Sequence, residues 1–153
     1  MKTNMRKLLA LLVTIAMLCT TVPFGALVSA ADGNLVKNGD FESGTTDNWS
    51  NDAGNGFTIV EESGDKCAYL EYNAADWGNI YQYVNVKKNT DYVFTYSYKT
   101  DSQFKMIFSV MGGDWVTSLG KATFDGTGEW VTNSVEFNSG DFSTIIIFVQ
   151  SNH

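Results

Sequence analysis

From residue 57 onward the chain falls into short runs that alternate apolar and polar residues: "FTIVEE" (57–62), "CAYLEYN" (67–73), "NIYQYVNV" (79–86), "DYVFTYSYKT" (91–100), "QFKMIFSVM" (103–111), "WVTNSVEF" (130–137) and "STIIIFVQ" (143–150). Period-two alternation with many β-branched and aromatic residues is the signal of half-buried strands, and no segment carries the 3.6-residue period of an amphipathic helix. Between the runs lie turns built on Gly, Asn and Asp, such as "NDAGNG", "MGGD" and "FDGTGEW". Short strands at this spacing predict an all-β fold, a β-sandwich of two antiparallel sheets.

Strand parity assigns the faces. In "DYVFTYSYK" the rings of Tyr92, Phe94, Tyr96 and Tyr98 share one side, which four rings at period two mark as core. Through the turn "KKNT" the preceding strand sends Ile80, Gln82, Val84 and Val86 into the same core. Trp77, Asn79, Tyr81 and Tyr83 are left on the outer face, so the stretch "ADWGNIYQYV" carries rings on both sides. In the next strand Phe104, Met106, Phe108 and Val110 point inward, while Lys105, Ile107, Ser109 and Met111 form a partly apolar outer side. The last run is apolar at every position from Ile145 to Val149, so parity alone does not orient it. A buried amide without partners is costly, which places Gln150 and Asn152 outward and Ile145, Ile147 and Val149 inward.

The first thirty residues are expected to be an export signal. Lys2, Arg6 and Lys7 make a basic start, Leu8 to Leu18 is an apolar run too short to span a bilayer, and "VSAA" supplies small residues for cleavage after Ala30 or Ala31. Residues 31–153 then form one compact domain, secreted or held at the extracellular cell surface. Without the three leader charges, seven lysines face 17 acids and no arginine is left. A net charge near −10 excludes partners that need a basic surface, nucleic acid and anionic membrane among them. Cys67 is the only cysteine in that domain and is expected as a buried strand residue, so no internal disulfide supports the fold.

The opening of the domain, "NLVKNGDFESGTTDNWS" (34–50), resembles the start of carbohydrate-binding modules of the family four, nine and twenty-two type, as do "WGNIYQYVNVKKNTDYVFTYSYKT" and "GEWVTNSVEF" further on. The resemblance implies a jelly-roll β-sandwich and attachment to a secreted glycan-degrading enzyme. It also implies a structural calcium, for which Asp40, Glu42 and Asp65 are the matching hard oxygen ligands. The family's closing strand with its Asp-Asp pair has no counterpart before "FVQSNH", which implies a weakened calcium site and either a fragment of a longer protein or a missing edge strand, the latter with an unpaired sheet edge.

Sugars present flat apolar CH faces edged by hydroxyls, so a neutral-glycan site needs aromatic platforms flanked by hydrogen-bonding side chains. Trp77, Tyr81 and Trp115 are the expected platforms, with Asn79, Lys105, Gln150 and Asn152 as polar partners. Tyr83 is expected to cover the sheet margin instead. Trp49 and Trp130 are expected to pack in the core or as its lid. No catalytic residue is expected: His153 is the single histidine, and Glu61, Glu62, Glu71 and Glu129 show no compact pairing of acids. The expected function is non-catalytic binding of a polysaccharide of the β-glucan or xylan class. A structural or adhesion module and a small jelly-roll glycosidase are the other readings.

Overall fold

Alternating strands leave hydrogen-bonding edges that must be paired, and the pairing sets where every outward side chain stands. The computed structural model describes residues 33–51, 57–70, 78–101 and 103–152, with the backbone of Thr14 and Ile15. In chain order the strands are β1 (Thr14–Ile15), β2 (Phe57–Glu62), β3 (Asp65–Leu70), β4 (Asn79–Asn85), β5 (Asp91–Tyr98), β6 (Lys105–Gly112), β7 (Ser118–Asp125), β8 (Val131–Asn138) and β9 (Thr144–Asn152). One sheet runs β4-β9-β6-β7, a second β1-β5-β8, and β2 and β3 form a hairpin of their own. All of these pairings are antiparallel, and the described residues contain no helix. The chain is an all-β sandwich, as the patterning predicts.

The core lies between the two larger sheets, and the parity assignments hold in it. Phe94 and Tyr96 of β5, Phe108 and Val110 of β6, Ile80 and Val84 of β4, and Ile145, Ile147 and Val149 of β9 are all buried. Tyr96 and Phe108 stack across the sandwich with ring centroids 3.6 Å apart and planes 11° apart. Trp49 is buried with them beside Phe41, its indole N–H donating to the Asn38 carbonyl at 3.0 Å. Cys67 is buried in β3, and desolvation pushes its thiol above the ordinary value, which makes it an inert packing residue.

Besides the two-residue β1, one strand is absent from the patterned runs. β7 reads "SLGKATFD", with glycine and lysine where a strand usually carries β-branched or aromatic residues. It is an edge strand paired only with β6, so half of its backbone needs no partner strand. Gly120 explains the weak pattern: a Cβ there would stand 2.6 Å from Val135 Cγ1 of β8, so the two sheets approach too closely for a side chain.

Gln82 is the polar residue that the parity sends inward, and it is 4% exposed. Its amide closes two bonds to the backbone of one residue of the opening segment: Lys37 N–H donates to Oε1 at 2.8 Å, and Nε2 donates to the Lys37 carbonyl at 2.9 Å. This clamp replaces the strand pairing that the opening segment lacks at that point. Gln82→Leu keeps the volume and removes both bonds; we expect a loss of about 1–3 kcal/mol in chemical denaturation. A change within about 0.5 kcal/mol would show that the clamp is dispensable.

Candidate functional site

The register of the four-stranded sheet lines up its outward residues in rows. Asn79, Gln150, Ile107 and Thr123 form one row, and Tyr81, Phe148, Ser109 and Lys121 the next. Tyr83, Ile146, Met111 and Ser118 form a third. Amides therefore lie beside aromatics on one continuous face. Tyr81 is fixed further by a two-way backbone bridge to Ser50, with N···O distances of 2.8 and 2.9 Å, which ties the opening loop to the free edge of β4.

Trp115 reaches this face from the turn between β6 and β7. Asp114 builds the turn: its Oδ1 accepts the N–H groups of Thr117 at 2.9 Å and Val116 at 3.0 Å, and its Oδ2 accepts the Thr117 hydroxyl at 2.7 Å. The Thr117 N–H bond, followed by the other two, holds the Asp114 carboxyl below its ordinary range. Trp115 itself adopts φ 61°, a left-handed backbone that a bulky residue takes only when its surroundings impose it. The turn crosses at Gly112, where a Cβ would stand 2.5 Å from the Phe142 ring.

So placed, the Trp115 ring packs edge to face against three others. Its centroid lies 5.0 Å from Tyr81, 6.1 Å from Tyr83 and 6.1 Å from Phe148, with interplanar angles of 83–84°. Its indole N–H donates to the Tyr83 hydroxyl at 2.7 Å. Trp115 and Tyr83 stay substantially exposed, at 38% and 54%, whereas Ile146 beneath them has no exposure. The result is a held aromatic platform with its upper surface open to solvent.

Of the sequence-expected residues, Asn79, Tyr81, Trp115 and Gln150 are brought together. Gln150 faces outward by parity, but at 8% exposure it forms the floor between its row neighbours Asn79 and Ile107. Lys105 stands at the far margin of the face, 3.1 Å from Asp125 in an exposed ion pair. Trp77 and the side chain of Asn152 lie outside the described residues. Tyr83, expected only as a sheet cover, is a working part of the cluster because its hydroxyl holds Trp115. Phe148 is a cluster member that the strand reading passed over, although its parity with Gln150 already placed it on this face.

Two of the carboxylates expected to ligate calcium, Glu42 and Asp40, accept backbone hydrogen bonds. Glu42 Oε1 accepts the Lys66 N–H at 2.9 Å, the Lys66 ammonium donates to the Glu42 carbonyl at 3.1 Å, and Asp40 Oδ1 accepts the Glu42 N–H at 3.3 Å. These bonds tie the opening loop to the β2–β3 hairpin. Among the described residues no three His, Cys, Asp or Glu side chains are grouped to hold a metal ion.

Comparison with known families places this arrangement. The carbohydrate binding domain of the 4/9 type matches residues 33–153. The chain belongs to that family. No curated protein matches it. The outer face of the β4-β9-β6-β7 sheet of this carbohydrate-binding domain thus combines what a neutral glycan requires: ring surfaces for its CH faces and amides for its hydroxyls.

The Asp114 turn makes the platform testable. Asp114→Ala is expected to broaden the Trp115 indole N–H cross-peak in NMR and weaken its bond to Tyr83. The folded-state pKa of Asp114 is depressed, so its contribution is complete above the ordinary aspartate value, about 3.9, and is lost only as pH falls through the lower folded value. The native cross-peak should therefore survive at about pH 4 and fail in stronger acid. A cross-peak already broadened at that pH, or unaffected by Asp114→Ala, would contradict this role.

Proposed function

We propose that this domain binds the interior of a soluble polysaccharide chain, of the β-glucan or xylan class, along the outer face of β4-β9-β6-β7. The observation that carries the proposal is the seating of Trp115 on Tyr81, Tyr83 and Phe148 beside Asn79 and Gln150. Stacking on Trp115 and Tyr81 supplies the apolar contact, and the flanking amides supply hydrogen bonds whose partners a bare apolar patch would lack. Trp77, Lys105 and Asn152 are further sugar contacts in this reading. In a secreted protein the domain raises the local concentration of polysaccharide around a linked glycan-degrading enzyme.

The role is binding without catalysis. Glycoside hydrolysis uses a pair of carboxyl groups across the scissile bond. The outward strand positions of this sheet offer Asp125 alone, and it is paired with Lys105. Glu62, on the β2–β3 hairpin, is bound to Lys99 at 2.7 Å.

Affinity electrophoresis through gels containing single polysaccharides tests the proposal. The native domain should be retarded by at least one β-glucan or xylan, and Trp115→Ala, Tyr81→Ala and Trp77→Ala should each weaken retention roughly tenfold, about 1.4 kcal/mol. Absence of retardation by every polysaccharide would sink the reading. Steady release of reducing ends from the same polysaccharides would overturn its non-catalytic part. Calcium at Asp40, Glu42 and Asp65 is likewise part of the proposal rather than of the observed geometry, and a melting temperature unmoved by calcium or chelator removes it.

A further inference from the structure

Across the same sheet from the aromatic platform, the inner side holds a second feature. A cavity of about 360 Å³ opens between the β2–β3 hairpin and the inward faces of β5, β6 and β9. That volume falls within the range of small-molecule pockets, about 300–1,000 Å³. Val149 and Ser151 belong to its wall while Gln150 points the other way, so the cavity and the platform lie on opposite sides of β9.

Its wall is largely apolar, yet three of its residues carry buried polar atoms with no hydrogen-bond partner. They are Tyr96 Oη, Ser151 Oγ and Trp130 Nε1, and among the described residues no other buried side-chain polar atom is left in this state. Tyr96 is fully buried and Ser151 is 6% exposed. Burial pushes the Tyr96 phenol far above its ordinary value, so it stays a neutral hydroxyl able both to donate and to accept. The Trp130 indole lies near enough to Glu62 to help hold that carboxylate ionised, behind the larger effect of Lys99, without reaching hydrogen-bond geometry. Buried polar groups in folded proteins are nearly always satisfied, so three orphans lining one cavity call for a shared partner. Phenylalanine at 96 and alanine at 151 would fill nearly the same space without them.

The charges at the mouth narrow the ligand class. Lys99 is committed to Glu62 at 2.7 Å, and Asp101 also lines the opening, which disfavours an anion. A mostly apolar wall, with three unpartnered donors and acceptors buried just behind its surface, suits a neutral ring that bears several hydroxyls. We propose that this cavity is a second binding site, taking one or two units of a neutral saccharide whose hydroxyls partner Tyr96, Ser151 and Trp130. This site is independent of the polysaccharide reading of the outer face.

Thermal unfolding of the domain with cellobiose and with xylobiose, in the native chain and in three variants, tests the inference. The expected result is a rise of a few degrees with at least one disaccharide, retained in Trp115→Ala and lost in Ser151→Ala and Tyr96→Phe. Without sugar, Tyr96→Phe should melt no lower than the native chain, because it removes an unpartnered hydroxyl. Should Tyr96→Phe fold poorly, that expectation fails and the hydroxyl has a structural role. Ser151→Ala still reads the site in that case. A native chain shifted by neither sugar overturns the proposal, as does a shift lost in Trp115→Ala but kept in Ser151→Ala. Gel retention by the outer face is read separately, and both cavity variants should keep it.

Discussion

The register of β9 between β4 and β6 is the constraint on which the rest of the structure depends. This strand is hydrogen-bonded along both edges, and Ile145, Ile146 and Ile147 have no exposure, so it is covered on both faces as well. A slip of one residue would exchange Ile145, Ile147 and Val149 for Ile146, Phe148 and Gln150 in the core. The core would then hold an amide, and the outer face would lose both the ring beneath Trp115 and the floor between Asn79 and Ile107. One pairing therefore fixes the packing of the sandwich and the side chains of its aromatic outer face together.

Onto that fixed floor the β6–β7 turn delivers the ring that makes the face a platform. Asp114 binds the turn from within, Gly112 lets it pass over Phe142, and Trp115 accepts a left-handed backbone that costs about 1–3 kcal/mol. The return is a ring already held by Tyr83 and packed on Tyr81 and Phe148 before any ligand arrives. Ordering of side chains is a large part of what binding costs, so a platform held in advance spends less of the contact energy on immobilisation. The unpartnered groups of the inner cavity show the opposite situation, with polar atoms held in place and no protein group to satisfy them.

Where side-chain parity was unambiguous, the fold was legible from the chain. Alternation alone orients Tyr92 to Tyr98, the parity of that neighbouring strand orients Ile80 to Val84, and Gln150 with Asn152 orients the all-apolar run of β9. β7 escaped because an edge strand facing a close sheet can be built from Gly120, Lys121 and Ala122, which carry no strand signal. The site was legible as a set of residue types on one face, Asn79, Tyr81 and Gln150 among them. Its working geometry was not, because the left-handed Trp115 and the Trp115–Tyr83 bond arise from a turn whose shape is set by contacts distant in sequence. Gln82 reads as a core position from parity, but its clamp on Lys37 bridges 45 residues and leaves no local trace. The two bonds between Glu42 and Lys66 likewise join residues 24 apart and leave no local trace.

The proposed seat of glycan recognition in this carbohydrate-binding domain is the outer face organised by β9. Titrating an isotope-labelled domain with a soluble β-glucan or xylan oligosaccharide and following backbone and indole cross-peaks by NMR tests it most directly. On the proposed outer face the largest shifts are expected on Tyr81, Tyr83, Trp115, Phe148 and Gln150, with the outward positions of β5 and β8 little changed. Shifts concentrated on the outward positions of β5 and β8, with the Trp115 indole unmoved, would contradict it.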